Sequence, residues 1–402
     1  MTPYALQPGA TVVITPTGGE EPMELELLTL LGRGANSQTW LAAADGEVVA
    51  VKAPLAAGDD HELTIEERIV QQFHHPSVVA LAGAGVGPGG RLVLAYERLF
   101  PNPLAVVNRP DVRRHFPDDP GTRFYPLPPP VALNLAADLL AALEHIHRRG
   151  FVHHDVKPDN LMVRAPLPPD ATHLPDHELL ELALRGECQG VLVDLGSSRS
   201  NAYLNELNRG GIDADVLVVP PQLTPLNAPP EAVLKNEVPG GGAPRPLLFR
   251  SLDVYAAALT IYAMVSGRAP YDHLGLDTAS FEALQQVKAA ERAGDLVPFS
   301  AEAVTGAPGY RRIAPDLLAL LLACTHRDPA ERPGVAGALQ FVEELQRALS
   351  PGAHERAAKE RRLGALAATE ADRADHFFGQ TTQARSTARA RAWELRRSAD
   401  PG

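Results

Sequence analysis

The chain of 402 residues carries a formal net charge of −12, and 45% of its residues are hydrophobic. This apolar fraction supports a sizeable core and excludes wholesale disorder, while the length favours two or three domains or lobes. No apolar run is long enough for a membrane span, and the first residues lack the pattern of a signal peptide. The two cysteines, Cys188 and Cys324, lie far apart, which excludes a disulfide scaffold and a thiolate zinc site. We expect a cytoplasmic protein that binds no nucleic acid.

Short strands are predicted throughout the first hundred residues. Alternating or apolar runs indicate strands at 11–14, 23–31, 38–43, 48–52, 78–86 and 91–97. The Asp45-Gly46 pair predicts a tight hairpin between the third and fourth of these strands. One helix is expected at about 60–74, where apolar positions repeat with helical spacing, and Pro76 would stop it.

Helices dominate the rest of the chain. Helical periodicity predicts helices at 131–149, 254–266, 317–324 and 335–349. The second of these is apolar on nearly all sides, which indicates a buried helix. Residues 100–130 are rich in proline and are expected to form a loop or an irregular insertion. The Arg-rich tail, 351–402, is either a solvated appendage or a segment that docks a partner or self-associates.

Two glycines, Gly32 and Gly34, stand one residue apart between predicted strands. Such a pair lets the backbone approach a phosphate closely, although many such pairs only form turns. Ser37 replaces the third glycine of the G-x-G-x-x-G pattern, which weakens the signal. Lys52 ends an apolar strand, where its ammonium would need an anion. Glu66 on the predicted helix could supply a carboxylate, and a solvated surface pair is the alternative.

A more specific signal comes from two later motifs. They are HHDVKPDN at 153–160 and VLVDLG at 191–196. Asp155, Lys157 and Asn160 place a base, a cation and a metal-binding amide within six residues. Asp194 follows an apolar strand and would present a hard oxygen ligand at its end. Asn160 and Asp194 together could hold Mg²⁺ bridging phosphates, which is what phosphoryl transfer requires.

Taken in order, these motifs resemble those of a eukaryotic-type (Hanks-type) serine/threonine protein kinase. The matching features are GRGANSQTW at 32–40, VAVK at 49–52, Glu66, His75-Pro76, the two motifs above, PPE at 229–231, Asp253 and Arg332. The resemblance covers about 22–349 and implies an α+β, bilobal protein-kinase-like fold. That fold has a small antiparallel-sheet N-lobe and a larger, mainly helical C-lobe. The Ala-, Pro- and Arg-rich composition hints at a bacterial source.

The resemblance also implies domain limits. They are an N-terminal extension at 1–21 that could add a strand, an N-lobe with the hinge at 22–98, a C-lobe at 99–350 and the tail at 351–402. Compared with the family pattern, the C-lobe would carry insertions near 100–130, 165–189 and 236–249.

Catalytic roles follow from the same resemblance. The catalytic residues would be Asp155, Lys157, Lys52 and Glu66, and the metal ligands would be Asn160 and Asp194. Lys52 would hold the α- and β-phosphates of ATP and pair with Glu66. Asp155 would accept the proton of the substrate hydroxyl, and Lys157 would neutralise the γ-phosphate. The metal would be Mg²⁺, with Mn²⁺ as an alternative.

The nucleotide would contact residues of several strands. They are Gly32, Gly34, Ser37, Thr39, Ala50, Lys52, Leu94, Ala95, Tyr96 and Met162. Adenine would lie between Ala50 and Met162. The hinge would be residues 92–96, with Leu94 as the gatekeeper.

Two further pairings would be structural, even in an active kinase. Glu231 would pair with Arg332, and Asp253 on the buried helix would anchor the loop that carries Asp155. Lys157 accompanies Ser/Thr specificity in this family, which favours a protein Ser or Thr hydroxyl as the acceptor. The protein substrate itself is not identified by the sequence.

The chain departs from the family pattern at His154. This histidine replaces the Arg that commonly precedes the catalytic Asp and receives a phosphate on the activation loop. A neutral imidazole is a poor partner for a dianion, so we predict activity without activation-loop phosphorylation. In the 165–189 insertion, His173 and His177 could be read as a metal pair. A helical surface insertion is the favoured interpretation, because no third ligand stands at a sensible spacing.

Two alternative functions remain open. The first is a pseudokinase that serves as an ATP-binding or protein-binding scaffold. The presence of every expected catalytic side chain argues against it. The second is a small-molecule kinase of the aminoglycoside or choline type. The second is disfavoured by features that resemble the platform for a protein substrate, namely the stretch at 224–231, Asp253 and Arg332.

Overall fold

A computed structural model describes residues 6–19, 21–34, 36–44, 46–55, 60–109, 125–168, 171–208, 224–234, 249–275 and 280–349. Within these ranges the chain forms two compact units. The first takes in residues up to Phe100 together with Arg164–Leu174, and the second takes in Pro101–Val163 and residues from Pro175 onward. Both helices and sheets are present, which confirms the α+β class. The limits given above for the lobes and insertions stay predictions.

The first unit is built on antiparallel strands. They are β1 (Thr11–Pro16), β2 (Met23–Arg33), β3 (Ser37–Ala44), β4 (Glu47–Pro54), β5 (Leu81–Gly87) and β6 (Arg91–Glu97). The strands pair in the order β1-β2-β3-β4-β6-β5, and β1 also pairs with β5. Ala44 pairs with Glu47, which confirms the predicted hairpin. Gly85 lies where β5 meets β1, and any side chain there would collide with the backbone of Val13.

One helix, α1 (Asp60–Val70), accompanies these strands. Leu63, Ile69 and Val70 bury its apolar stripe together with Glu66. The helix ends before the predicted limit of 74, in a turn in which the Gln72 amide donates to the Ile69 carbonyl. Pro76 therefore does not stop it. Strand β5 likewise begins three residues after the predicted 78.

The second unit is mainly helical. Its helices are α2 (Pro103–Val107), α3 (Pro129–Arg148), α4 (Asp176–Leu184), α5 (Asn201–Asn208), α6 (Pro230–Val233), α7 (Phe249–Ser266), α8 (Phe281–Ala293), α9 (Ala301–Thr305), α10 (Ala314–Cys324) and α11 (Val335–Leu349). Two short sheets pair β7 (Phe151–Val152) with β10 (Arg199–Ser200), and β8 (Leu161–Arg164) with β9 (Gln189–Leu192).

The helix α7 lies in the core of the second unit. Every residue from Leu252 to Ser266 is buried, which confirms the prediction of a buried helix. A helix that is apolar on all sides can bury its whole circumference only in the interior of a protein. The one acidic residue of α7, Asp253, therefore lies in the core and is 1% exposed. A buried carboxylate must find donors there, and the loop at 153–160 supplies them.

Several predicted segments have mixed outcomes. The 165–189 insertion contains α4, as predicted, and Asp176 at its start receives two 2.8 Å contacts from one guanidinium nitrogen of Arg109. The 100–130 insertion contains the short helix α2, so it is not wholly a loop. Residues 110–124, 236–248 and the tail at 351–402 lie outside the described residues. Among the helices that are described, none combines the length and apolarity needed to cross a membrane.

Candidate active site

The first unit brings Lys52 of β4 and Glu66 of α1 together. Lys52 Nζ donates to Glu66 Oε2 at 2.7 Å, and the hydroxyl of Tyr96 donates to Glu66 Oε1 at 2.8 Å. The carboxylate is nearly inaccessible to solvent, so its charge depends on these two donors. The predicted Lys52–Glu66 pair is therefore present. It fixes the direction of the Lys52 ammonium.

The glycine-rich turn joins β2 to β3 and is fastened to α1. Of the predicted nucleotide-contacting residues, Gly34 lies in this turn, Gly32 lies near the end of β2, and Ser37 and Thr39 lie in β3. Gly34 N donates to Ser37 O at 2.8 Å, which closes the turn. Asn36 Nδ2 lies 2.9 Å from both carboxylate oxygens of Glu62, in the first turn of the helix that carries Glu66. Sequence reasoning missed this tether, because nothing in the motif indicates a partner for Asn36.

Residues 92–96, predicted as the hinge, lie within a strand. These residues form the middle of β6, which pairs with β4 on one side and with β5 on the other. Pairing on both edges uses most backbone groups of such a strand, and the contact of Leu94, Ala95 and Tyr96 with a nucleotide stays a prediction. Leu94 and Ala95 are fully buried within the sheet. β6 ends at Glu97, and the first unit is left at Phe100.

The second unit brings Asp155, Lys157 and Asn160 together. Lys157 Nζ donates to Asp155 Oδ2 at 2.7 Å, and Asn160 Nδ2 donates to the same oxygen at 3.0 Å. The other oxygen, Oδ1, accepts from the hydroxyl of Thr224 at 2.7 Å. Thr224 in turn accepts from Lys157 Nζ at 3.1 Å. Asp155 is thus held in one orientation. Thr224 was expected only as part of the stretch that resembles a substrate platform, and its direct contact with Asp155 was not predicted.

Asp253 anchors the loop that carries Asp155, as predicted. Its Oδ2 accepts from the amide of His153 at 2.8 Å, and its Oδ1 accepts from the amide of His154 at 2.9 Å. The ring of His147 lies 2.8 Å from Oδ2. Burial alone would raise the pKa of this carboxyl, but the hydrogen bond with His147 and the neighbouring imidazoles outweigh burial and lower the pKa.

Asn160 and Asp194 lie in segments that are bonded to each other. The amide of Val193 donates to Asn160 O at 2.9 Å, so Asp194 follows directly after that contact. Both hydrogen bonds of the Asn160 side chain use its nitrogen, so Oδ1 is the atom that could bind a cation. Asp194 has a left-handed φ of 61°, which Asp tolerates better than most residues. An amide oxygen and a carboxylate suit a hard divalent cation that takes its other ligands from phosphate and water.

His154 occupies a buried position beside Asp155. Its φ is 72°, its ring lies 5.8 Å from the ring of Phe249, and the side chain is buried. Within the described part of the chain, neither ring nitrogen has a hydrogen-bond partner. Burial lowers the pKa of His154 to about 4, and Arg199 acts in the same direction against the opposing charge of Asp253. The imidazole is therefore neutral at neutral pH.

The remaining predicted positions are distributed over both units. Ala50 lies on β4 and Met162 on β8, each in its own unit, and their contact with adenine stays a prediction. Glu231 and Arg332 form the predicted pair, with two nitrogen–oxygen contacts of 2.6 and 3.1 Å. No cluster of three His, Cys, Asp or Glu residues that could hold a metal is found among the described residues, so the His173–His177 alternative has no support there.

Comparison with known proteins gives a family match. The protein kinase domain matches residues 25–342 of this chain. A protein kinase and PP2C-like domain-containing protein of Oryza sativa is 25% identical over 340 residues, covering 81% of this chain and 44% of that protein.

Two bacterial proteins are similar to the same region. The DNA damage-responsive serine/threonine-protein kinase RqkA of Deinococcus radiodurans is 28% identical over 257 residues, covering 61% of this chain and 30% of that protein. The serine/threonine-protein kinase PkaA of Streptomyces coelicolor is 24% identical over 336 residues, covering 78% of this chain and 49% of that protein. The chain spans less than half the length of these three curated relatives.

Proposed function

Because the chain belongs to the protein kinase family, we propose that it is an active serine/threonine protein kinase. It would transfer the γ-phosphate of Mg·ATP to a Ser or Thr hydroxyl of a protein. The observation that carries the proposal is the network around Asp155. Both carboxylate oxygens are fixed by Lys157, Asn160 and Thr224, so that one buried base is aimed rather than free to rotate.

On the nucleotide side, the cluster of Lys52, Glu66 and Tyr96 supports a phosphate-binding role. Glu66 accepts a hydrogen bond from the Lys52 ammonium and fixes its direction, and the positioned cation would bind the α- and β-phosphates. Positioning of this kind contributes to catalysis because it removes the entropy cost of aligning the reactants.

On the acceptor side, Asp155 would take the hydroxyl proton at a carboxylate oxygen as the acceptor oxygen bonds to the γ-phosphorus and the bond from this phosphorus to ADP breaks. Lys157, 2.7 Å from that carboxylate, would neutralise the γ-phosphate. Asn160 Oδ1 and the Asp194 carboxylate would hold Mg²⁺, with Mn²⁺ as an alternative. The cation supplies charge neutralisation on the phosphates when it is bound.

The acceptor is proposed to be a protein, and Ser or Thr rather than Tyr. Thr224 contacts both Asp155 and Lys157, so the segment that follows it is fixed beside the base, where an acceptor peptide would lie. A pseudokinase has no use for this network. A small-molecule kinase would need the base but not a peptide platform.

The product decides between the three functions. The wild-type chain is incubated with γ-³²P-ATP and Mg²⁺, with casein as a protein acceptor or with an aminoglycoside or choline as a small acceptor. We expect label in protein, and phosphoserine or phosphothreonine after acid hydrolysis. Label in the small acceptor alone would establish the small-molecule kinase. No label with Mg²⁺ or Mn²⁺ would favour the pseudokinase.

A further inference from the structure

Lys288 is a buried lysine that none of the roles above uses. It lies on α8, and its side chain is completely shielded from solvent. A buried ammonium is costly unless it is paired and its three donors are used. The hydrogen-bond partners of the Lys288 ammonium therefore indicate which part of the chain this residue stabilises.

Its partners lie mainly in one segment of backbone. Lys288 Nζ donates to the carbonyl oxygen of Ala228 at 2.5 Å and reaches the carbonyl oxygen of Leu226 at 3.4 Å. It also donates to the hydroxyl of Tyr271 at 2.5 Å. Carbonyls that accept from a charged donor form stronger hydrogen bonds than those that accept from a neutral one. Lys288 thus binds the 224–234 segment by its main chain.

The lysine is itself fixed by an acidic and aromatic cluster. Glu291 lies 3.8 Å from Lys288 Nζ and accepts from the hydroxyls of Tyr255 and Tyr271 at 2.5 and 2.6 Å. The ammonium also lies 4.6 Å from the centre of the Tyr271 ring and 5.2 Å from that of Tyr255. Burial lowers the pKa of Lys288 to about 8, and the charge of Glu291 opposes this. The cation therefore persists at neutral pH.

A continuous line of hydrogen bonds joins Lys288 to the base. The amide of Ala228, whose carbonyl accepts from Lys288, donates to Thr224 O at 3.1 Å. The Thr224 hydroxyl donates to Asp155 Oδ1 at 2.7 Å. The same segment is held beyond this point by the Glu231–Arg332 pair. Along this segment, the two carbonyls that Lys288 contacts thus lie between Thr224, which is bonded to Asp155, and Glu231, which is paired with Arg332.

We propose that Lys288 is a positioning residue that holds the 224–234 segment so that Thr224 stays on Asp155. The inference rests on the proposed function only in that Asp155 is taken as the base. Lys288 does not touch the reacting groups. Its effect is on where the acceptor platform lies.

The test is hydrogen exchange, measured by mass spectrometry on the full chain. Lys288→Met keeps an unbranched side chain that is one atom shorter, and it removes the charge and the donors. We expect backbone amides of 224–234 to exchange at least tenfold faster, while those of α3 are unchanged. Gln285→Met, which introduces the same residue at an exposed position of α8, is the matched control and should behave as wild type.

The outcomes separate the inference from a general loss of folding. Wild-type exchange at 224–234 in folded Lys288→Met would overturn the proposal. If α3 also loses protection in Lys288→Met, the same exchange measurement is made on Tyr271→Phe, which removes one hydroxyl that Lys288 contacts. Selective faster exchange at 224–234 in that variant supports the proposal, and no change or a uniform change overturns it.

An activity measurement distinguishes this inference from the proposed function. With casein as the acceptor, Lys288→Met should raise the KM for casein several-fold and leave the KM for ATP unchanged. A rise in the KM for ATP instead would contradict a role confined to the acceptor platform. A wild-type chain without transfer activity would refute the proposed function, and the exchange result would still judge the role of Lys288.

Discussion

At the scale of single residues, the surroundings of a side chain set its charge more than its type does. His154 is neutral because it is buried, and Lys288, also buried, stays charged because Glu291 and the carbonyls compensate it. We predicted activity without an activation-loop phosphate because a neutral imidazole would bind such a phosphate poorly. The lowered pKa of His154 agrees with that reason. That expectation stays a prediction.

The acid dependence of folding should report on His154. Its folded pKa is about 4 against an ordinary 6.5, so between these values the unfolded chain binds a proton that the folded chain does not. Stability therefore falls as the pH decreases through this window, by roughly 1–2 kcal/mol at pH 5. Asn tolerates a positive φ, so His154→Asn should lose less stability between pH 7 and pH 5 in urea unfolding. Equal losses in the two proteins would contradict the account.

Thr224 gives a second test at this scale. Removing its hydroxyl in Thr224→Ala leaves a charged carboxylate without one donor, which costs roughly 1.5–3 kcal/mol. We expect kcat for phosphoryl transfer to fall roughly 10- to 100-fold if this cost falls on the transition state. Thr224→Ser retains the hydroxyl and should stay close to wild type. The assignment fails if the Ala and Ser variants have the same kcat.

At the scale of elements, α1 is the part of the first unit that needs the most exact placement. The contacts that hold it toward the glycine-rich turn and β6 include Asn36–Glu62 and Tyr96–Glu66. Neither contact was predicted from the sequence. Asn36 was expected only as a residue of the glycine-rich loop, and Tyr96 was expected to contact the nucleotide. The helix itself was predictable from its periodicity, but its fastening was not.

Loss of the Tyr96 hydroxyl should weaken that fastening. In Tyr96→Phe, Glu66 keeps Lys52 but loses its second donor, which is worth about 1 kcal/mol. We expect kcat/KM for ATP to fall roughly 3- to 10-fold, since Lys52 is then held less firmly. Tyr203→Phe, at an exposed tyrosine, is the control. An unchanged kcat/KM in Tyr96→Phe would show that Glu66 is placed without Tyr96.

At the scale of the whole molecule, periodic elements were predictable and their long-range contacts were not. The strand at 91–97 and the helix at 335–349 were predicted at their observed limits, because their patterns end at clear boundaries. The helix α8 was missed, since its buried face contains Lys288 and Glu291, and charged residues normally indicate an exposed face.

The candidate site shows the same division. Asp155, Lys157 and Asn160 share one motif, so their proximity could be inferred from spacing alone. Thr224 lies 69 residues from Asp155, and only the path of the intervening chain brings it there. The pairing of 92–96 along both edges could not be inferred either, because an apolar run does not show which strands pair with it.

The most direct measurement of the central claim is the initial rate of γ-phosphate transfer to casein by three matched proteins. Asp155→Ala removes the proposed base, while Asp159→Ala removes an exposed carboxylate four residues along the same loop. We predict that Asp155→Ala loses at least about 100-fold in rate, as expected for a positioned general base, and that Asp159→Ala stays near wild type. Comparable rates for wild type and Asp155→Ala would contradict the assignment of this loop as the catalytic centre.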